Sequence, residues 1–191
     1  MITREQIEAS GIASRTDKIT RHGYHRFYDR FLCNFNGYGA IVEIGFGNGE
    51  SINFWKALFP NAYLYIIDRD ISCNGDGFQV LKVDQSSQDQ LIGLCKILEG
   101  KDIGLIVDDG SHVPEHQLDT FNILFRQLRE GGVYIIEDVE CSYWRYGCCY
   151  GYKTDYGLNS RRSLVNMLSS LPHWINREFM AKREKRAYAI F

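Results

Sequence analysis

The chain has 191 residues, 45% of them apolar and 24% charged, with a formal net charge of −2. That length favours one domain over 1–191 with a core of its own, and the near-balanced charge gives no electrostatic case for nucleic acid or an anionic membrane as partner. No segment is apolar for long enough to span a bilayer and the first thirty residues hold no signal-peptide-like apolar run; six cysteines without a C-x-x-C pair argue against a zinc ribbon, and for small core residues in a reducing, cytoplasmic setting.

Residues 3 to 32 read as helical, because Tyr24, Phe27, Tyr28 and Phe31 recur at three- and four-residue spacing on one apolar face. AIVEI (40–44) is a short strand running into GFGNG, and ESINFWKALF then has a helical pattern stopped by Pro60. YLYII (63–67) is a second strand ending at Asp68, and FQVLKV (78–83) alternates as a third ending at Asp84. QDQLIGLCKIL (88–98) is a helix closed by Gly100, and GLIVD (104–108) is a fourth strand. PEHQLDTFNILFRQLRE (114–130) is a helix with Leu118, Phe121, Leu124, Phe125 and Leu128 on one face, Pro114 in its first turn and Gly131-Gly132 as its stop. VYIIE (133–137) is a fifth strand. From 139 to 160 the pattern dissolves into VECSYWRYGCCYGYKTDYGLNS, a run long enough to be functional or to hide small elements. A helix near 161–170 follows, and INREFM and RAYAIF pair as a closing hairpin across AKREK. The basic run AKREKRA (181–187), interrupted by Glu184, reads as a solvated turn.

Strands alternating with helices imply right-handed crossovers, hence an α/β fold with a doubly wound, mainly parallel sheet and that C-terminal antiparallel hairpin. Such sheets bind ligands beyond the carboxyl ends of their strands, near the point where strand order reverses. Gly45 to Gly49, Asp68, Asp84, Asp108-Asp109 and Glu137-Asp138 all fall at strand ends, so the polar residues gather along one sheet edge.

EIGFGNGES (43–51) places glycines at 45, 47 and 49 between a strand and a helix, where they permit a sharp turn and a close approach to a ligand. The nicotinamide fingerprint needs a further glycine where this chain has Glu50. The pattern of Glu43 with Gly45, Gly47 and Gly49 instead resembles the first motif of class I S-adenosylmethionine (SAM) methyltransferases, Rossmann-like enzymes. The resemblance implies that the loop holds the amino-acid end of SAM. Asp68 closes the next strand about 20 residues on, where a carboxylate holds ribose hydroxyls. Asp84 and Gln85 reach the adenine or form a plain turn. Asp108 ends its strand on the same cofactor side.

The stretch LIVDDGSHVPEH (105–116) carries the chemistry. Asp109, Glu137 and Asp138 lie at the ends of the fourth and fifth strands. Carboxylates converging there without a cation would repel and raise their own pKa values. An all-oxygen set suits Mg²⁺, Mn²⁺ or Ca²⁺ better than zinc, and Mg²⁺ keeps watery positions that adjacent hydroxyls of a substrate can fill. His112 follows, with an unperturbed pKa of about 6.5 that suits a general base. The plainer reading makes Asp108-Asp109 and Glu137-Asp138 strand caps, and His112 the lead into the next helix. His112-Val-Pro-Glu-His116 also matches the zinc peptidase pattern H-x-x-E-H. That motif needs both histidines on one face of a continuous helix, and Pro114 starts the helix inside it. His116 is left as a surface or packing residue.

Together these residues resemble the macrocin and mycinamicin type O-methyltransferases, which methylate hydroxyls on deoxysugars of macrolides and related glycosides. The matching pieces are TDK (16–18) with RHGYHRFYDRF, VEIGFGNGESINFWKALFPNAYLYIID, VDQSS, IVDDGSH and GGVYIIEDVECSYW, spanning about residues 14–146. The glycine loop is common to all class I methyltransferases, whereas DDGSH with IIED…SYW is much more specific. The resemblance implies SAM- and Mg²⁺-dependent transfer, with Asp109, Glu137 and Asp138 as metal ligands and His112 as base. Tyr24 or Tyr28 would close over the cofactor, unless both are helix packing. Tyr143 and Trp144 would line the site of a sugar or glycoside acceptor, such as a rhamnoside, unless they are core. A homo-oligomer follows from the likeness only. RYGCCYGYKTDY (145–156) departs from the family pattern, so the acceptor is less defined than the chemistry, and the chain is compatible with one domain of a longer glycan-building protein. A metal-assisted methyltransferase of catechols or other vicinal diols shares the site logic. A degenerate fold serving as an interaction module would show a broken motif, and none is broken.

Overall fold

The computed structural model describes residues 2–186. Two compact units are distinguished: the chain up to Ser111 with Asp119–Glu137, and His112–Leu118 with the chain from Asp138 onward.

The first unit carries α1 (Arg4–Ser14), α2 (Asp17–Thr20), α3 (His25–Leu32), β1 (Gly39–Ile44), α4 (Glu50–Leu58), β2 (Ala62–Asp68), β3 (Cys73–Gly75), β4 (Phe78–Lys82), α5 (Gln88–Leu98), β5 (Ile103–Asp108) and β6 (Leu128–Ile136). α6 (Pro114–Leu124) has its C-terminal part in this unit. The sheet order is β3-β4-β2-β1-β5-β6, with every neighbouring pair parallel except β3 and β4. This is the doubly wound sheet the alternating pattern implies, and its order reverses between β1 and β5. Strand side chains alternate faces, so Ile41, Leu105 and Val107 enter one apolar cluster with Phe54, Trp55, Leu64 and Ile66. Val42, Ile44 and Ile106 enter the other with Leu91, Leu94, Leu98 and Leu124. Completely buried side chains of this size contribute about 1.5–3 kcal/mol each, which fixes the strands whose ends build the site.

The structure corrects several expectations. The helix expected over 3–32 is three helices. α1 opens on a capping box between Thr3 and Gln6 and closes at Arg15, in left-handed conformation at φ 63°; a second break contains Gly23 at φ 68°. Periodicity ran through stops made by backbone conformation rather than by proline. The short β3, antiparallel to β4, was not foreseen. The helix expected to reach 130 gives way after Leu124 to a 3₁₀ turn, and β6 starts at Leu128. Gly131-Gly132 does not stop a helix; it lies in β6 where the pairing with β5 slips between Ile103 and Leu105. Only Cys141 among the six free cysteines is buried, and Cys33, Cys73 and Cys148 are exposed.

The second unit fills the patternless stretch with small elements: a 3₁₀ turn at Val139–Tyr143, then β7 (Gly147–Cys149) paired antiparallel with β8 (Tyr152–Thr154). α7 (Leu164–Ser169), α8 (Leu171–Ile175), a 3₁₀ turn (Arg177–Phe179) and α9 (Lys182–Lys185) follow. The antiparallel hairpin therefore comes at 147–154, earlier than expected. INREFM supplies the end of α8 and a 3₁₀ turn rather than a strand, and most of RAYAIF lies outside the described residues. The basic run is a short exposed helix instead of a turn. Among the described residues, no helix is long and apolar enough to cross a membrane.

Candidate functional site

The site of the first unit forms where β1 and β5 part, the switch point at which such sheets bind ligands. After β1 the chain turns through Gly45 (φ 101°), Gly47 (φ 53°) and Gly49 (φ 79°) into α4. Gly45 is obligatory here: a Cβ would sit 2.1 Å from the Asp109 carbonyl oxygen. Gly47 differs, because a Cβ there would meet nothing within 4 Å. The space on the Cα side of Gly47 is thus open, close in sequence to the N-terminus of α4, an end that favours an anionic group.

Asp68, at the end of β2, lies against this loop. Its Oδ2 accepts from the Phe46 amide at 3.3 Å, and its Oδ1 accepts from the amides of Asp70 and Ile71 at 2.8 and 3.0 Å. Asp84 accepts from the Ser86 amide and hydroxyl at 2.8 and 2.7 Å, forming the turn before α5. The Gln85 side chain is committed elsewhere. Its Nε2 donates to both Asp108 oxygens at 2.8 and 3.0 Å, and its Oε1 accepts from the Ser111 amide at 2.8 Å. This clamp pins the turn after β5. Burial pushes the Asp108 carboxyl up to about 7, against the hydrogen bonds from Gln85 that favour its charged form.

The carboxylates expected at a metal converge in part on a residue whose role the sequence did not reveal. Lys18 is 2% exposed, and its Nζ lies 2.8 Å from Glu137 Oε2 and 3.3 Å from Glu43 Oε1, and in contact with Asp109 Oδ2. Burial works to lower the Lys18 pKa, but Glu137, Glu43 and Asp109 outweigh it and hold the ammonium well above its usual range. Burial pushes the Glu43 carboxyl up, opposed by Lys18 and by the Ser51 hydroxyl, which donates to Glu43 Oε2 at 2.7 Å. Glu43 therefore braces Lys18 and the start of α4. The signal for Lys18 was thin: one lysine in TDK, with no periodicity to mark it as buried.

In the second unit, His112 is buried and its Nε2 lies 3.9 Å from Asp138 Oδ2. Nδ1 of His112 is buried without a hydrogen-bond partner among the described residues, and the ring packs 5.4 Å from that of Tyr150. His112 and Asp138 adopt left-handed backbones at φ 57° and 48°, two of the four non-glycine residues that do so among the described residues. Such conformations are costly and concentrate at functional positions. Tyr143 is half exposed, and Trp144 follows it at the end of the 3₁₀ turn. His116 stacks edge-on against Tyr152 at 4.7 Å, in a cavity of about 320 Å³ lined also by Glu115, Asp155, Tyr156 and Arg162. Tyr24, in the first unit, stacks on His22 at 5.2 Å and on Tyr28 at 6.0 Å; Tyr28 itself is core, against Trp55.

The first unit thus fits a hard divalent cation in part: two carboxylates are gathered at one point on a sheet edge, with oxygen donors of the right kind.

No family model matches the chain. It is 33% identical over 147 residues to 8-demethyl-8-alpha-L-rhamnosyl tetracenomycin-C 2'-O-methyltransferase of Streptomyces olivaceus, covering 71% of this chain and 38% of that protein. It is 30% identical over 165 residues to demethylmacrocin O-methyltransferase of Streptomyces fradiae, covering 80% and 40%. Among solved structures, MycE methyltransferase of the mycinamycin biosynthetic pathway, in complex with Mg, SAH and mycinamycin VI, superposes with a TM-score of 0.77 at 25% identity, over 90% of this chain and 48% of that one. The chain spans less than half the length of the relatives it matches. The fold is that of a class I methyltransferase, and the expected resemblance to the macrocin and mycinamicin type O-methyltransferases is borne out.

Proposed function

We propose that residues 1–191 form one methyltransferase domain that moves a methyl group from SAM to a hydroxyl of a 6-deoxyhexose, such as rhamnose on a glycan or glycoside, with the help of Mg²⁺. The observation that carries this reading is the gathering of the Asp109 and Glu137 carboxylates next to the glycine loop at the β1–β5 switch point. Asp138 directly follows Glu137 in the chain, and His112 follows Asp109 by three residues. Asp109, Glu137 and Asp138 would hold the metal, which supplies an electrophile that gathers vicinal hydroxyls and makes them more acidic. The open face at Gly47 would admit the amino-acid end of SAM, and Asp68 would hold its ribose. His112 would take the proton of the reacting hydroxyl at Nδ1, while the Asp138 carboxylate facing Nε2 steadies the resulting imidazolium. The oxygen–methyl bond forms as the sulfur–methyl bond breaks, leaving S-adenosylhomocysteine. The aromatic and charged cavity of the second unit is of small-ligand size, which supports a sugar acceptor. Tyr143 and Trp144 would offer aromatic faces to the sugar, and assembly into homo-oligomers belongs to the same reading. A calorimetric titration with S-adenosylhomocysteine, with and without Mg²⁺, tests it. Micromolar binding is expected, and folded protein that binds in neither condition would refute it.

A further inference from the structure

Lys18 stands among the proposed metal ligands with a charge of the same sign as the ion they would hold. It is not a surface lysine that has folded inward. It rides on the single turn α2, where the Thr16 carbonyl accepts from the Ile19 and Thr20 amides at 3.2 and 3.1 Å and the Lys18 carbonyl accepts from the Tyr24 amide at 2.8 Å. Next to it, Ile19 packs on Gly11 so closely that a Cβ on Gly11 would lie 2.0 Å from Ile19 Cγ1. The backbone under Lys18 is therefore fixed. Its ammonium faces Glu43, Asp109 and Glu137, so one positive charge meets three carboxylates and leaves a formal charge of −2. Glu43 has a partner the other two lack in the Ser51 hydroxyl, which donates to its second oxygen at 2.7 Å. Buried carboxylates with no cation are strongly unfavourable, so the metal-free protein needs a positive charge of its own at this point.

We infer that Lys18 is a built-in counter-cation: it keeps Asp109 and Glu137 gathered while no metal is bound, competes with the incoming divalent ion for their oxygens, and retains Glu43 as its partner once the ion is held. This rests on the reading of Asp109 and Glu137 as metal ligands. Its consequence is opposite to that of an ordinary structural ion pair. Removing Lys18 would weaken the metal-free fold yet tighten the metal, because the like charge that occupies the Asp109 and Glu137 oxygens is gone.

The test uses Mn²⁺ as probe, followed by its paramagnetic resonance signal, on the wild-type chain, on Lys18→Met and on Lys18→Met with Glu43→Gln. Thermal unfolding is recorded with and without saturating Mg²⁺. Lys18→Met should bind Mn²⁺ at least about tenfold more tightly, melt about 10 °C lower without metal, and recover most of that loss in Mg²⁺. The double variant, which leaves no unpaired carboxylate at 43, should melt higher than the single one without metal and keep the tight binding. Unchanged or weaker Mn²⁺ affinity in both variants would overturn the inference, and so would two variants that stay unfolded in saturating Mg²⁺. A wild-type chain that binds no Mn²⁺ would overturn the metal reading itself, a result distinct from wild-type binding with unaltered variants.

Discussion

Replacing Gly47 by alanine separates the glycine loop's fold from the ligand proposed for it. Gly47 has φ 53°, and a Cβ there would have nothing within 4 Å. An alanine in this left-handed conformation costs about 1 kcal/mol, partly offset by about 0.4–1 kcal/mol from the stiffer unfolded chain. Stability should thus fall by under about 1 kcal/mol, or about 2–4 °C in melting temperature for a chain of this size. The methyl group would occupy the space left open beside α4. Crowding a bound ligand by one carbon costs about 1–3 kcal/mol, so S-adenosylhomocysteine should bind about five- to 150-fold more weakly. Gly45→Ala is the contrast. Its Cβ would lie 2.1 Å from the Asp109 carbonyl oxygen and 2.9 Å from the carbonyl carbon, both backbone atoms, at φ 101°. Strain and overpacking together should cost about 4 kcal/mol. Denaturant unfolding and calorimetric titration of the two variants give both quantities. Gly47→Ala binding the ligand as the wild type does, or Gly45→Ala unfolding at the wild-type midpoint, would refute the reasoning.

Other outcomes follow from the same geometry. His112→Ala should lower turnover by about 10²- to 10⁴-fold while leaving S-adenosylhomocysteine affinity intact; full turnover would remove His112 from the role of base. Burial pushes the Cys141 thiol up to about 12, with Cys149 adding to the shift, whereas Cys33, Cys73 and Cys148 are exposed. Iodoacetamide at pH 8 should therefore label those three well before Cys141, as peptide mapping would reveal. Arg162 donates to Glu115 Oε1 at 2.6 Å and holds that carboxyl below its ordinary 4.5. The stabilisation is present above that value and lost as pH falls through the lowered one. Arg162→Ala should flatten that acid limb slightly, and high salt should erase the difference because the pair is exposed. Gly11→Ala gains about 1 kcal/mol of helix propensity but drives a methyl into the branched Ile19, so a net loss of about 2 kcal/mol is expected in denaturant unfolding.

The parallel sheet and the candidate site's place on it were legible because β1, β2 and β5 are apolar runs that end in a glycine loop or an aspartate. The strand rule then put Gly45, Asp68, Asp109 and Glu137 on one edge without knowledge of any contact. What escaped were features made by backbone conformation and by distant pairing. Arg15 stops α1 through a left-handed φ that composition does not mark. Gly131-Gly132 has the same letters at a helix stop as in a slipped strand, and only the pairing of Ile103 with Leu128 decides between them. Gln85 reads as an adenine contact or a turn residue, and its amide in fact bridges Asp108 and the Ser111 amide, 23 and 26 residues away. Lys18 was hidden for the same reason: its partners Asp109 and Glu137 lie 91 and 119 residues further along the chain.

The central claim is metal-assisted methyl transfer to a deoxysugar. Its most direct test is incubation of the purified chain with methyl-labelled SAM, Mg²⁺ and a simple α-L-rhamnoside, with and without EDTA. The account predicts label on a sugar hydroxyl, formed with Mg²⁺ and lost in EDTA. Label transferred at an unchanged rate in EDTA would contradict the metal's role. Folded, cofactor-binding protein that labels catechols but no deoxysugar would contradict the acceptor.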